Sequence, residues 1–185
     1  MSKILDNLYL SSVAEARNPK YIKNNKITHV LIAAKGLKQY FNSITYKQLN
    51  IADNPITMIS HYFAEALKFI DEALAAGKTV LVHCLGGKSR SVSVVIAYLM
   101  FSQKKSFEDA YILVKTARRV ANPNPGFISQ LKAFEKVLDI YFTQRKDAML
   151  KEHDYTLLDN LIKTYVTTDI KDRIENTQII MKKAK

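Results

Sequence analysis

One stretch of the sequence, residues 79–100, constrains the fold more than any other. It opens with Thr79–His83, a β-branched and apolar run whose composition predicts a buried strand. Small and polar residues with two adjacent glycines follow, so the chain can turn tightly there. From Arg90 onward, an apolar run free of Gly and Pro predicts a buried helix. A strand that turns through glycines into a helix directs backbone N–H groups into one concavity, where an anion can bind.

The cysteine at the end of this strand, Cys84, stands at the rim of the concavity, and Arg90 follows six residues later. Cationic groups and a helix N-terminus favour the thiolate form of a cysteine, which is its nucleophilic form. A guanidinium group can bind two phosphate oxygens at once. The spacing therefore indicates in-line attack by Cys84 on a phosphate ester.

Other interpretations of this stretch are weaker. Cys84 could be a small buried apolar residue and His83 an ordinary strand-end histidine, but the complete string around them argues against both. The sequence Gly-Lys-Ser at 87–89 also resembles the end of a nucleotide-binding P-loop. That motif requires a glycine five residues before Gly87, where this chain has Val82, so the P-loop interpretation fails.

Residues 83–91 resemble the signature loop of cysteine-dependent protein phosphatases, specifically their dual-specificity subgroup, in the string His-Cys-x-x-Gly-x-Ser-Arg-Ser. The resemblance covers about residues 4–142 and is that of a small, atypical member. It implies hydrolysis of phosphotyrosine, phosphoserine and phosphothreonine in proteins through a cysteinyl-phosphate, without metal or cofactor. It also implies an α/β fold: a single domain with a central, mostly parallel twisted sheet of about four to five strands flanked by helices.

The resemblance assigns a role to each residue of the expected site. Cys84 attacks phosphorus, Asp53 protonates the leaving oxygen and later activates water, and the Ser91 hydroxyl stabilises the departing thiolate. His83 and Asn124 support the loop. The phosphate oxygens are bound by the loop amides and the guanidinium group, that is, by Leu85, Gly86, Gly87, Lys88, Ser89 and Arg90.

The general acid can also be argued from the residues themselves. Asp53 lies in a loop after a predicted strand, and a carboxylic acid on such a loop can protonate a leaving group. The alternative is turn formation, because Asp-Asn-Pro is common turn chemistry. Asp6 and Asp71 are weaker candidates for the acid, the second because it lies inside a predicted helix.

A second segment, residues 118–127, resembles the family segment Arg-Pro-x-x-x-Pro-Asn-x-Gly-Phe, with Arg119 in place of the proline. There the resemblance implies that Asn124 holds the signature loop open by a hydrogen bond. The alternative is that Asn124 is an ordinary turn asparagine.

Hydrophobic periodicity and turn signals predict the remaining elements. Ser12 would cap a short helix, which Asn18-Pro19 would end. An amphipathic helix over residues 57–76 would deliver the chain to the strand before Cys84. The other predicted elements are strands at 4–12, 27–33 and 43–50, and helices at 13–17, 106–118 and 127–142.

The end of the resemblance divides the chain into a catalytic domain, residues 1–144, and a C-terminal extension, residues 145–185. Helical spacing of apolar residues predicts one or two helices in this extension. These residues are Leu150, Leu157, Leu158, Leu161, Ile162 and Tyr165. The helices would dock on the core or on another subunit, and the second arrangement would give a dimer. The alternative is a weakly ordered extension.

Charge and cysteine content indicate which partners and which cellular compartment to expect. Residues 1–143 carry 19 Lys and Arg against 10 Asp and Glu, so most of the formal net charge of +11 lies where it can attract phosphorylated proteins. The basic residues are dispersed without aromatic interleaving, so nucleic acid is not an expected partner. One cysteine fits a reducing compartment, cytoplasmic or nuclear, and four scattered histidines predict no metal site.

A stable membrane anchor is not expected from the sequence either. The chain has no apolar span long enough to cross a bilayer. Ser2 stands where N-myristoylation needs glycine, and the C-terminal residues carry no prenylation box.

Three other functions stay open. Lys88 adds a charge inside the loop, where lipid phosphatases of the wider superfamily carry lysine, so a phosphoinositide phosphatase with the same chemistry is the main alternative. A phosphate-binding module is a second alternative, although binding alone needs neither Cys84 nor Asp53. Sulfur transfer by a cysteine beside an anion-binding loop is a more distant one.

Overall fold

A five-stranded sheet forms the centre of the computed structural model, which describes residues 1–147 and 153–170. The strand order is β1-β2-β5-β3-β4; β1 is antiparallel to β2, and all the other neighbours are parallel. The strands are β1 (Ser2–Leu5), β2 (Leu8–Ser12), β3 (His29–Ala33), β4 (Thr45–Leu49) and β5 (Val80–Cys84). The predicted α/β fold with a mostly parallel sheet is confirmed.

Helices flank this sheet, and one of them is almost completely enclosed. They are α1 (Val13–Ala16), α2 (Pro19–Asn24), α3 (Phe63–Ala75), α4 (Arg90–Ser102), α5 (Phe107–Ala117), α6 (Pro125–Asp147) and α7 (Tyr155–Leu161). Every residue of α4 from Ser91 to Phe101 is buried, because this helix packs on the sheet and on α3, α5 and α6. All of β5 is buried as well, as expected for a central strand of a parallel sheet that is covered on both faces.

The predicted single strand at 4–12 is wrong, because the chain forms a hairpin there. Strands β1 and β2 pair around a turn in which Asn7 has a φ of 62°. Asparagine adopts this left-handed conformation more readily than most residues. The turn therefore needs no glycine, and the pattern of apolar and polar residues along the chain does not show where it lies.

Two helix predictions also need correction, and one further helix was not predicted. The helix α1 ends before Asn18, as predicted, but Asn18 also begins α2: its side chain accepts a hydrogen bond from the Lys20 N–H and caps this helix, with Pro19 at the first helical position. The helix predicted at 57–76 begins as a 3₁₀ turn, Ile59–Tyr62, and becomes α-helical only at Phe63. The helix predicted at 127–142 starts earlier, at Pro125, and runs on to Asp147.

The C-terminal extension forms helix in its described part, and this part docks on the core of its own chain. After α7, the chain makes a π-helical turn, Ile162–Val166, and stays helical to residue 170. The side chains of Leu158, Ile162 and Val166 are fully buried where these turns meet α3 and α6. The domain limit at residue 144 stays a prediction, since α6 runs through it. The predicted dimer also stays a prediction. Leu150 lies outside the described residues.

A partly buried carboxylate, that of Asp71, anchors the extension. The Tyr155 hydroxyl donates to Asp71 Oδ2 of α3 at 2.8 Å, and the Tyr98 hydroxyl lies 3.4 Å from Oδ1. Burial and the Asp71 charge raise the pKa of Tyr98 to about 12 and that of Tyr155 as well, so both hydroxyls stay protonated and can donate. Asp71 of α3 thus holds the extension through the Tyr155 hydroxyl. No helix in the described ranges is long and apolar enough to cross a membrane.

Candidate active site

The predicted anion-binding loop lies between β5 and α4. Cys84 is the last residue of the strand and is 1% exposed, and Arg90 is the first residue of the helix. The loop between them turns at Gly87, whose φ of 61° is in the left-handed region. A Cβ atom at this position would lie 2.5 Å from the Ser11 carbonyl oxygen, so only glycine fits both the conformation and the space.

Three carbonyl groups of the loop are held by donors outside it. The bonds run from Val13 N–H to Leu85 O at 3.1 Å, from Arg118 Nε to Gly87 O at 2.7 Å and from Asn122 N–H to Lys88 O at 2.7 Å. No peptide bond described is cis, and in a trans peptide the N–H points opposite to the C=O. The N–H groups of Gly86, Lys88 and Ser89 therefore turn toward the concave side of the loop. This is the arrangement that binds an anion.

Two donors converge on the Cys84 sulfur. The Gly87 N–H lies 3.3 Å from Sγ, and the Ser91 hydroxyl lies 3.1 Å from it. Ser91 is fully buried in the first turn of α4. Hydrogen bonds from buried donors favour the charged form of their acceptor, so both contacts stabilise a thiolate.

The Asp53 carboxylate lies across this loop. Its Oδ1 accepts hydrogen bonds from the Ser89 hydroxyl at 2.7 Å and from Asn124 Nδ2 at 3.0 Å. Its Oδ2 lies 3.4 Å from Arg90 Nε, and this contact is an ion pair whose geometry is not that of a hydrogen bond. The Arg90 Nε–H is buried and has no hydrogen-bond partner within the part of the chain that the structure describes. It can therefore donate to an oxygen of a bound phosphate.

Asn124 hydrogen-bonds the signature loop through its main chain. Its backbone N–H, rather than its side chain, donates to the Ser89 hydroxyl at 3.1 Å. The side-chain amide reaches Asp53, and the side-chain oxygen accepts from the Phe127 N–H at the start of α6. The asparagine thus links the start of a helix to the carboxylate and reaches the signature loop only through its main chain.

Helix α6 also holds the loop that carries Asp53. Gly126 approaches this loop so closely that a Cβ atom there would lie 1.9 Å from the Pro55 carbonyl oxygen. The buried Gln130 side chain accepts from the Ser60 N–H at 3.0 Å and donates to the Thr57 carbonyl at 2.8 Å. Contacts with α6 therefore hold the segment that follows Asp53 in place.

His83 lies beneath the loop as a neutral side chain. It is buried in β5, and its ring Nδ1 donates to the Cys84 carbonyl oxygen at 3.3 Å. Burial lowers the pKa of His83 to about 4, although the hydrogen bond to the carbonyl opposes the shift. At neutral pH this side chain adds no charge to the site.

The lowered pKa of His83 predicts a loss of stability in mild acid. The folded state binds a proton at about pH 4 and the unfolded state at the ordinary value of 6.5, so the unfolded state binds more protons between these values. The free energy of unfolding should therefore fall by about 3 kcal/mol as pH falls from 6.5 to 4. In His83→Gln this contribution should be absent, as urea unfolding at several pH values can measure. Parallel pH profiles for the two proteins would contradict the assignment.

The structure brings most of the expected site residues together around the signature loop. Those whose side chains or amides meet there are Asp53, Cys84, Gly86, Gly87, Lys88, Ser89, Arg90, Ser91 and Asn124. The weaker acid candidates lie elsewhere: Asp6 pairs with Lys3 next to the β1–β2 turn, and Asp71 anchors the extension. Among the residues described, no three His, Cys, Asp or Glu side chains are grouped to hold a metal.

Sequence reasoning missed several residues that support the site. They are Glu15, Asn122, Gly126 and Gln130, together with Arg118, whose side chain contacts the loop, and the Ser89 hydroxyl. Arg118 carried a usable signal, since it matches the arginine that opens the family segment at 118–127.

Comparisons with known proteins agree with this geometry. The family model of the dual specificity phosphatase catalytic domain matches residues 8–137. Dual specificity protein phosphatase 1B of Arabidopsis thaliana is 46% identical over 137 residues, which are 74% of this chain and 82% of the relative. Human dual specificity protein phosphatase 22 is 40% identical over 136 residues, 74% of each chain. The crystal structure of DUSP15 is 32% identical with a TM-score of 0.75, and the match covers 83% of this chain and 98% of that one.

The match to the family model covers strands β2 to β5, the signature loop and the helices from α1 into α6. The family model includes the Asp53 loop, the signature loop and the Asn124 segment, and it ends inside α6. The extension lies beyond it. The chain therefore belongs to the dual specificity phosphatase family and is a protein phosphatase that acts on phosphotyrosine and on phosphoserine and phosphothreonine.

Proposed function

We propose that the residues around the signature loop hydrolyse phosphate esters in two steps through a cysteinyl-phosphate. The observation that carries this proposal is the sulfur of Cys84 at the base of the concave, amide-lined side of the signature loop, which we call the cradle. Asp53 lies across the loop from it. A binding module would need the cradle alone. Nucleophile, cradle and acid together support a catalyst.

In the first step, the Cys84 thiolate attacks phosphorus and the S–P bond forms. The bond from phosphorus to the ester oxygen breaks, and protonated Asp53 gives its proton to that oxygen, so the substrate leaves as an alcohol or phenol. The loop amides and the free Nε–H of Arg90 bind the remaining phosphate oxygens. Arg90 Nη1 also donates to the Ile51 carbonyl at 3.3 Å, which ties the guanidinium group to the loop before Asp53.

In the second step, water attacks phosphorus and Asp53, now a carboxylate, takes its proton. The S–P bond breaks, and orthophosphate and the thiolate form. The Ser91 hydroxyl and the Gly87 N–H, both within hydrogen-bond reach of the sulfur, stabilise this leaving thiolate. Asp53 therefore alternates between acid and base, as microscopic reversibility requires of a single group on that side of phosphorus.

The substrates that this site serves are proposed to be phosphoproteins of signalling reactions in the cytoplasm and the nucleus. The excess of lysine and arginine in residues 1–143 supports an attraction to acidic, phosphorylated surfaces. The lone cysteine supports a reducing compartment.

The phosphoinositide alternative predicts a different preference. We expect kcat/KM for phosphotyrosine and phosphothreonine peptides to exceed that for soluble short-chain phosphoinositides by about tenfold or more. Phosphate release at equal substrate concentrations measures this ratio. A Lys88→Ala variant is the matched control, because it removes the loop charge that suggested a lipid substrate and leaves the loop backbone in place. A preference for phosphoinositides that is lost in Lys88→Ala would overturn the proposal.

A further inference from the structure

A second arginine contacts the signature loop from outside. Arg118 follows α5, far from the loop in sequence, and its side chain is 10% exposed. Its Nε donates to the Gly87 carbonyl at 2.7 Å, and its Nη2 lies 3.2 Å from Glu15 Oε2 of α1. One guanidinium group thus bridges the signature loop and α1.

The bridge fixes the peptide between Gly87 and Lys88. Because the Gly87 carbonyl is held by Arg118, the Lys88 N–H of the same peptide must point the opposite way, toward the concave side of the loop where a phosphate would bind. Gly87 has positive φ, a region in which glycine moves freely unless its neighbours are held. A contact on this carbonyl therefore decides whether one donor of the cradle is in place before the substrate arrives.

The carboxylate partner of Arg118 is itself fixed. Glu15 Oε2 accepts from the Ser12 N–H at 3.0 Å, which is one bond of the capping box of α1, and it also accepts from the Ser12 hydroxyl at 3.1 Å. The first helical residue, Val13, in turn holds the Leu85 carbonyl of the signature loop. The start of α1 and the side chain of Arg118 therefore form one rigid support beneath the loop.

Charge adds to this support. Burial lowers the pKa of Arg118, and the negative charge at Cys84 opposes that shift. Since the interaction between two charges is mutual, the guanidinium group also stabilises the thiolate. Glu15 offsets part of this positive charge, so we assign the larger effect to the fixed peptide.

We propose that Arg118 is a positioning residue for phosphate binding, acting through the Gly87–Lys88 peptide. The proposal deepens the proposed function and rests on it, since it assigns the orientation of one cradle donor to a side chain outside the signature loop. It predicts that weakening this contact lowers affinity for the phosphate group itself, whatever the rest of the substrate.

The test compares Arg118→Gln with Arg119→Gln. Arg119 is the exposed neighbour, so its variant loses the same formal charge without losing a loop contact. We expect Arg118→Gln to bind orthophosphate about tenfold more weakly by titration calorimetry and to lose about 100-fold in kcat/KM on an aryl phosphate. The pH midpoint of iodoacetamide alkylation of Cys84 should also move upward. Arg119→Gln should match the unchanged protein in all three measurements.

Arg118→Lys separates geometry from charge. It keeps the cation but cannot hold the Gly87 carbonyl and Glu15 with one planar fork, so phosphate affinity should stay low while the alkylation midpoint returns toward that of the unchanged protein. Melting temperatures show whether each variant is folded, and Arg118→Lys carries the test if Arg118→Gln is not. Calorimetry needs no turnover, so it remains decisive even if hydrolysis fails. Unchanged phosphate affinity in Arg118→Lys, or an equal loss in Arg119→Gln, would overturn the proposal.

Discussion

A Cys84→Ser variant should release no measurable phosphate from an aryl phosphate while it stays folded and still binds orthophosphate. A serine hydroxyl is not ionised near neutral pH, so neither the cradle nor the Ser91 and Gly87 donors can make it a nucleophile. Loss of the nucleophile should lower kcat by on the order of 10⁶-fold. Initial rates under saturating substrate, with orthophosphate binding measured in parallel, test both halves of the expectation.

Alkylation supplies the control for this result. Because the chain has one cysteine, iodoacetamide can form a single cysteine adduct, and mass spectrometry should find it on the unchanged protein but not on Cys84→Ser. Orthophosphate should protect the sulfur by occupying the cradle above it. Turnover that survives in Cys84→Ser, or in the fully alkylated protein, would exclude Cys84 as the nucleophile.

The centre of the fold could be predicted because its signal is local. β5 and α4 are enclosed on all sides, so almost every position is apolar and the glycine turn between them stands out. The hairpin at the N-terminus could not be predicted in this way, since its turn depends on the backbone of Asn7. The helix after Asn18 could not be predicted from Asn-Pro alone, because this pair can follow the end of one helix and also begin another.

The same difference between local and long-range signals applies to the active site. Cys84 and Arg90 belong to one continuous string, so their meeting follows from spacing. The contact from Arg118 to Gly87 spans 31 residues and that from Arg118 to Glu15 spans 103. Such pairings depend on how helices pack on the sheet, which no local pattern of residues determines. The positions of supporting residues therefore had to come from the structure.

The second large effect concerns Asp53 and depends on the leaving group. In Asp53→Asn, the amide oxygen can still accept from the Ser89 hydroxyl, but the side chain no longer supplies a proton. An alkyl ester such as phosphoserine leaves as a strongly basic alkoxide and needs that proton, so kcat should fall by about 10²- to 10⁴-fold. A nitrophenyl phosphate leaves as a stable phenolate, so its loss should be much smaller. Stopped-flow and steady-state rates on both esters give the ratio of the two losses in kcat.

Asp6→Asn is the matched control for this ratio, because it makes the same chemical change at an exposed carboxylate that pairs only with Lys3 among the contacts described. It should leave both rates unchanged. Asp71→Asn should weaken the hold on Tyr155 and lower the melting temperature, without separating the two esters. The general-acid role thus predicts a dependence on the leaving group that loss of stability cannot imitate. Equal losses on the alkyl and aryl esters in Asp53→Asn would show that this carboxylate only organises the loop, and another proton donor would have to be sought.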